Sequence, residues 1–86
     1  MESDIEKRND IYPNPAKDIA YINLENDLLN YEHIELLNSG GVSLGSGLIN
    51  NQGNKLEIDL SGVAKGVYYL KLKTNGRIYV YKVVKT

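Results

Sequence analysis

From Lys55 onward, apolar and polar residues alternate with a period of two, and that period most narrows what a chain of 86 residues can become. Leu56, Ile58 and Leu60 alternate with Lys55, Glu57 and Asp59; Tyr68, Leu70, Leu72 and Thr74 alternate with Tyr69, Lys71 and Lys73. Successive side chains of a strand point to opposite faces, so each run reads as a half-buried strand. Asn75-Gly76 separates two such runs and tolerates the positive φ angles of a two-residue type I′ turn. Residues 67–74 and 77–85 are therefore predicted to form a hairpin. In its second strand Ile78, Val80 and Val84 share a phase that Lys82 interrupts, which implies either a wet edge or a bulge at Lys82. Val42, Leu44 and Leu48 share another phase, interleaved with Ser43, Gly45 and Gly47.

Earlier segments carry the same signal in weaker form. Ala20, Ile22 and Leu24 make one face of residues 19–24, with Ile19 and Tyr21 giving the other face apolar character. Across 27–37, Leu29 and Leu36 stand seven apart and Asp27 could cap a helix, but Asn30, Glu32 and His33 break that stripe. Ile34 and Leu36, closing at Asn38-Ser39-Gly40-Gly41, favour a strand. Short strands spaced near ten residues and joined by Gly and Asn turns predict an all-β chain, an immunoglobulin-like antiparallel β-sandwich of about seven strands. The charged start, Met1 to Asn9, lacks the apolar core of a secretory signal. Residues 1–10 are read as a linker or cloning remnant and 11–86 as one domain.

Composition removes most chemistries. There is no cysteine, so disulfide scaffolds, thiol catalysis and Cys-based zinc sites are excluded. His33 is the single histidine, and a lone strand histidine without a paired nucleophile or orienting group reads as structural or solvated. Asp10, Asn14 and Asp18 lie near a turn without EF-hand spacing, a weak calcium signal; Gly45-Ser46-Gly47 lacks the Lys-Ser/Thr of a phosphate loop. Glu57 and Asp59 share a strand face and read as surface carboxylates. The expectation is no enzyme, no metal and no cofactor. Residues 1–35 carry a local charge of −6 and residues 36–86 one of +5. The late bases alternate with apolar residues rather than clustering, so they read as solvated strand faces or a partner surface, with no nucleic acid. All seven aromatics are tyrosine, and Tyr69, Tyr79 and Tyr81 share strand phases with Lys and Arg. They form either an exposed aromatic–basic strip or ordinary cross-strand pairs.

Three segments together resemble the C-terminal sorting domain of the type IX secretion system, the outer-membrane export route of Bacteroidetes-type bacteria. Tyr12-Pro13-Asn14-Pro15 is similar to that family's opening Y-P-N-P signature, a rigid turn launching the strand from residue 19. Residues 34–44 are similar to its strand, D-x-x-G turn, strand unit, with Gly41 as the turn glycine. Here Asn38 replaces the usual Asp, which an Asx turn tolerates, and Val42 replaces the usual Arg or Lys. Ile58-Asp59-Leu60-Ser61 through Gly66-Val67-Tyr68-Tyr69-Leu70 resembles the family's IDLS-L-x-x-G-x-Y-x-L stretch, and Lys82-Val83-Val84-Lys85 stands close to the end of the sequence. Physically, residues 59–66 read as an inter-strand corner: Val63 plugs the core, and Tyr68 bonds back to corner backbone as in a tyrosine corner.

The resemblance implies a non-catalytic signal that carries an N-terminal cargo protein through the outer-membrane translocon, to be removed by a sortase-like peptidase. The cargo would then be secreted or held at the cell surface after passing the periplasm. It implies translocon recognition at Gly66, Tyr68, Gly76, Lys82, Val83, Val84 and Lys85, with Tyr12, Pro13, Asn14, Pro15, Asn38, Gly41, Asp59 and Leu60 as structural motif positions. Lys82 to Lys85 are expected to offer a basic edge for main-chain pairing, and the edge of the terminal hairpin is expected to permit strand-swapped self-association. The rival reading is a fibronectin-like or carbohydrate-binding accessory module of a secreted enzyme, using the tyrosine strip; an inert spacer is a third.

Overall fold

The structure, a computed structural model, describes residues 4–8 in their backbone and residues 10–24, 29–74 and 76–86 in full. Among the described residues it contains nine strands and no helix. They are β1 (Asp4–Arg8), β2 (Ile11–Tyr12), β3 (Ile19–Asn23), β4 (His33–Asn38), β5 (Ser43–Gly45), β6 (Ile49–Asn51), β7 (Lys55–Asp59), β8 (Gly66–Thr74) and β9 (Arg77–Lys85). They form a four-stranded sheet, β2-β3-β7-β6, and a five-stranded sheet, β1-β9-β8-β4-β5. Without the flanking β1 and β5, seven strands remain in the two-sheet order of an immunoglobulin-like sandwich. The fold class is as expected; the two additional strands are sheet margins, which carry little apolar pattern and so leave little trace in sequence.

The core lies where the alternation places it. Ala20 and Ile22 of β3, Ile34 and Leu36 of β4, Leu56 and Ile58 of β7 and Leu70 and Leu72 of β8 are buried between the sheets, joined by Ile11, Ala16, Leu24 and Leu60. Residues 33–38 are a strand; Asp27, the proposed helix cap, lies outside the described residues. The Val42, Leu44, Leu48 stripe does not hold together as one strand. Val42, just before the short β5, and Leu44, within it, are exposed, and the chain turns between β5 and β6 so that only Leu48 and Ile49 of this stretch pack on the core.

The β8–β9 hairpin pairs Thr74 with Arg77 and runs in one unbroken register to Gly66↔Lys85. Gly76 sits in the turn; Asn75 lies outside the described residues. This register decides what the sequence left open at Lys82 and corrects the setting of Tyr79 and Tyr81. Lys82 marks neither a bulge nor a change of phase: it points outward in the same phase as Ile78, Val80 and Val84, while Tyr79, Tyr81 and Val83 point into the core. Tyr79 and Tyr81 therefore form no surface strip. Pairing Thr74 with Arg77 sets Tyr79 opposite Leu72 and Tyr81 opposite Leu70, so both rings share the buried face.

Residues 4–8 pair in parallel with residues 77–81, so β9 is an interior strand and β1 and β5 are the margins of that sheet.

Candidate functional site

The Y-P-N-P segment folds over the outer margin of β9. Pro13 and Pro15 have no N–H, so this loop cannot run a complete backbone ladder. The Asn14 amide fills the gap: its Nδ2 donates to the Lys82 carbonyl at 2.9 Å and its Oδ1 accepts the Val84 N–H at 3.0 Å. Ala16, fully buried, continues the pairing, donating its N–H to the Val84 carbonyl (2.8 Å) and accepting from the Thr86 N–H (2.9 Å). The peptide bonds Tyr12-Pro13 and Asn14-Pro15 are both cis. The main chain of residues 82–86 is thus already engaged on its outer side. The expected basic edge for pairing at Lys82–Lys85 is absent, because this loop occupies it.

The corner between β7 and β8 is tied to the same strand end. The Asp59 carboxylate accepts from the Ser61 Oγ–H at 2.6 Å and the Ser61 N–H at 3.0 Å, an Asx turn that starts the corner. These two bonds, then the nearby Lys85 ammonium, hold the Asp59 carboxyl below the ordinary aspartate range, against a smaller opposing effect of desolvation. Lys85 does not serve as a free surface charge. Its Nζ donates to the carbonyls of Leu60 (2.5 Å), Val63 (2.7 Å) and Ser61 (3.4 Å), using all three protons on the corner backbone. Val63 packs partly buried against the core, and the Tyr68 hydroxyl donates to the Ala64 carbonyl at 2.6 Å. That is the expected tyrosine corner. Gly66, at φ 147°, lets the chain leave the corner and enter β8 in a conformation that L side chains rarely adopt.

The turn after β4 stands beside this corner, since Asn38 pairs with Tyr68. Asn38 Oδ1 accepts from the N–H groups of Gly40 (2.9 Å) and Val42 (3.0 Å), and Gly41 takes φ 83°. Asn therefore makes the Asx turn in which the family usually has Asp, and Val42, in place of a base, is exposed.

Tyr12, Pro13, Asn14, Pro15, Asn38, Gly41, Asp59, Leu60, Gly66, Tyr68, Lys82, Val83, Val84 and Lys85 thus gather toward one end of the sandwich. Gly76 does not. It lies at the far end of the nine-residue β8, roughly 26 Å away at about 3.3 Å per residue. The gathered residues differ in reach. Tyr68 and Val83 are buried and Leu60 is fully buried, Val84 and Lys85 are half-buried, and Lys82 is exposed.

The chain matches the family model described as the secretion system C-terminal sorting domain over residues 10–86. The protein belongs to that family. No match is found among curated proteins or among solved structures. As a sorting domain the chain is a C-terminal signal for type IX secretion, in a family that is generally non-catalytic. Its place is in a secreted or cell-surface protein exported across the outer membrane, and it works with the type IX machinery and an N-terminal cargo. The sorting domain's motifs prove to be one hydrogen-bonded assembly at one end of the fold. Sequence reasoning missed the part Lys85 plays in holding the corner, and the closure of β9 by Asn14 and Ala16. For Asn14 a signal existed: an amide between two prolines is the one group there able to both give and accept a strand-like pair.

Proposed function

We infer that residues 11–86 are a folded address carried behind a cargo protein through the periplasm. The type IX translocon grips the end of the sandwich where the Y-P-N-P loop, the corner and the end of β9 meet. The observation that supports this best is convergence: motifs up to 70 residues apart in sequence, Asn14 and Val84, are hydrogen-bonded into one surface. Gly66, Tyr68, Val83, Val84 and Lys85 set that surface's shape from beneath. Contact falls to Lys82 and to exposed groups beside them, among them Pro13, Pro15, Lys17 and Lys65. Gly76 closes the hairpin at the other end. Residues 1–10 are the linker in which a sortase-like peptidase cuts, after which the cargo is released or attached to lipopolysaccharide.

A signal-peptide-bearing reporter fused to the chain, expressed in a host with this export system, tests the reading. The intact fusion is expected at the cell surface or in the medium. Reversing charge with Lys17→Glu and Lys65→Glu should strand it in the periplasm without lowering its melting temperature, whereas Asn50→Asp on β6 should export normally. Deleting residues 77–86 should also block export, but it removes three core side chains and so tests folding as well. Export of both the charge-reversed and the truncated fusions at the intact level would end the proposal.

The binding-module reading loses its surface, because two of its three tyrosines are buried. The aromatic pair that does reach the surface is Tyr12 and Tyr21, with ring centroids 5.9 Å apart. Both hydroxyls are bonded, to Asn23 at 2.8 Å and Glu57 at 3.5 Å, and Lys55 covers the Tyr21 ring, as expected of a cross-strand pair.

A further inference from the structure

The outer margin of β9 has two covers of different kinds. Residues 82–86 are closed from within the domain by Asn14 and Ala16, on a loop whose Asp18 carbonyl also holds the Leu60 N–H at 2.6 Å. Residues 77–81 are covered by β1, through a parallel ladder from Asp4↔Arg77 to Arg8↔Tyr81. β1 lies outside the span 10–86 that matches the sorting-domain family. The remaining sheet margins are blunt. β2 has two residues, β6 three, and β5 three with a register shift beside it and a positive φ at Gly45. Short, irregular edges of this kind resist pairing with other chains. Were β1 to leave, the backbone of residues 77–81 would become the longest strand margin of the remaining fold, and that cover belongs to the segment that leads toward the cargo.

We propose that this margin is a strand-acceptor site: when the cargo-side segment is cut or drawn away, an extended strand of another protein lies parallel to β9 in the place of β1. The proposal rests on the reading of residues 1–10 as the cargo linker, and it adds a partner of defined chemistry. Recognition would run through main-chain hydrogen bonds, which tolerate varied side chains and suit machinery that handles many cargoes. The groups available can be named. Backbone groups alternate in direction along a strand, and the Val84 N–H and the Lys82 carbonyl point outward to Asn14. The register of β9 is unbroken, so the N–H groups of Ile78 and Val80 point toward β1 and those of Tyr79 and Tyr81 toward β8. On the two faces of this margin stand buried Tyr79 and Tyr81 and half-buried Ile78 and Val80, so the incoming strand would carry apolar residues.

Amide hydrogen exchange on the full chain and on its Glu6→Pro/Lys7→Pro variant tests this. Two adjacent prolines remove a donor in either phase of β1. Ile78 and Val80 should exchange roughly tenfold faster or more in the variant, with Tyr79 and Tyr81 unchanged. A synthetic peptide of residues 2–10 should bind the variant saturably and restore protection at Ile78 and Val80; the same peptide carrying both prolines should not. Unchanged exchange at Ile78 and Val80, or failure of the unmodified peptide to restore it, overturns the proposal. If the variant loses protection throughout, the wild-type chain decides: local opening requires faster exchange at Ile78 and Val80 than at Tyr79 and Tyr81, and equal rates overturn the site. Failure of the reporter to be exported while these exchange results hold would strike the sorting mechanism and leave the acceptor site standing.

Discussion

Asn14 does with a side chain what its neighbouring prolines prevent the backbone from doing. One amide gives a proton to the Lys82 carbonyl and takes one from the Val84 N–H, copying the paired bonds of a strand. A net worth of about 0.5–1.5 kcal/mol per hydrogen bond sets the scale, so Asn14→Ala should lower unfolding free energy by about 1–2 kcal/mol in urea titration. Asn14→Asp should do at least as much damage, because it keeps the acceptor for Val84 but turns an oxygen toward the Lys82 carbonyl. Equal stability of Asn14→Ala and wild type would mean that Ala16 alone holds the strand end. Asp59 gives a pH-dependent counterpart. Its carboxyl is held below the ordinary range in the folded state, first by the Ser61 hydroxyl, then by the Ser61 N–H, with Lys85 adding attraction. The stability it confers is therefore complete above the unfolded-state value and fades as pH falls through the depressed folded-state value. Urea midpoints of wild type and Asp59→Asn should differ most near neutrality and converge in acid; a gap that persists undiminished into strong acid would contradict the linkage.

At the scale of elements, the β8–β9 hairpin shows how one turn determines two faces. A two-residue connection pairs Thr74 with Arg77, and every later pairing follows, so the even positions of β8 and the odd positions of β9 share the core. Tyr81 is 1% exposed, and truncating a buried aromatic costs about 3–5 kcal/mol, so Tyr81→Ala should remove much of the stability of a small domain. Tyr69→Ala, on the outward face opposite Lys82, should cost about 1 kcal/mol or less. Thermal unfolding of the two variants separates these positions; similar losses would mean that the outward ring is also packed. The outward setting of Ile78, Val80 and Val84 has the same origin. Counting apolar residues along β9 alone selects the aliphatic face, whereas the turn length, already legible in Asn75-Gly76, selects the tyrosine face.

For the molecule as a whole, closing exposed strand margins governs the design. A sandwich of 86 residues has much edge for its volume, and unpaired margins invite pairing with other chains. Here the four-stranded sheet ends in strands of two and three residues, and the five-stranded sheet ends in an irregular β5 and in β1. The hairpin edge on which strand-swapped association was expected is consequently covered, by β1 along residues 77–81 and by the Asn14–Ala16 loop beyond them. On the reading proposed above, export and strand acceptance use different parts of one body: the first the end where the Y-P-N-P loop, the corner and the end of β9 meet, the second the backbone of residues 77–81 beneath β1.

The all-β class, the two-sheet sandwich, most of its core, the Asn38 turn, the Tyr68 corner and the family were all legible in sequence. Each of these is carried by local periodicity, or by residues whose roles are satisfied within a few positions: Asn38 by Gly40 and Val42, Tyr68 by Ala64. The tertiary structure alone decided which groups meet across 70 residues, that Lys85 is spent on the corner carbonyls, and that a polar leader completes a sheet. The β1 ladder runs on main-chain hydrogen bonds, which any residue except proline can supply, and the side chains of Asn14 and Lys85 end on backbone groups that register alone brings within reach. Sequence therefore leaves no mark of which backbone they meet, and only the assembled sheets show it.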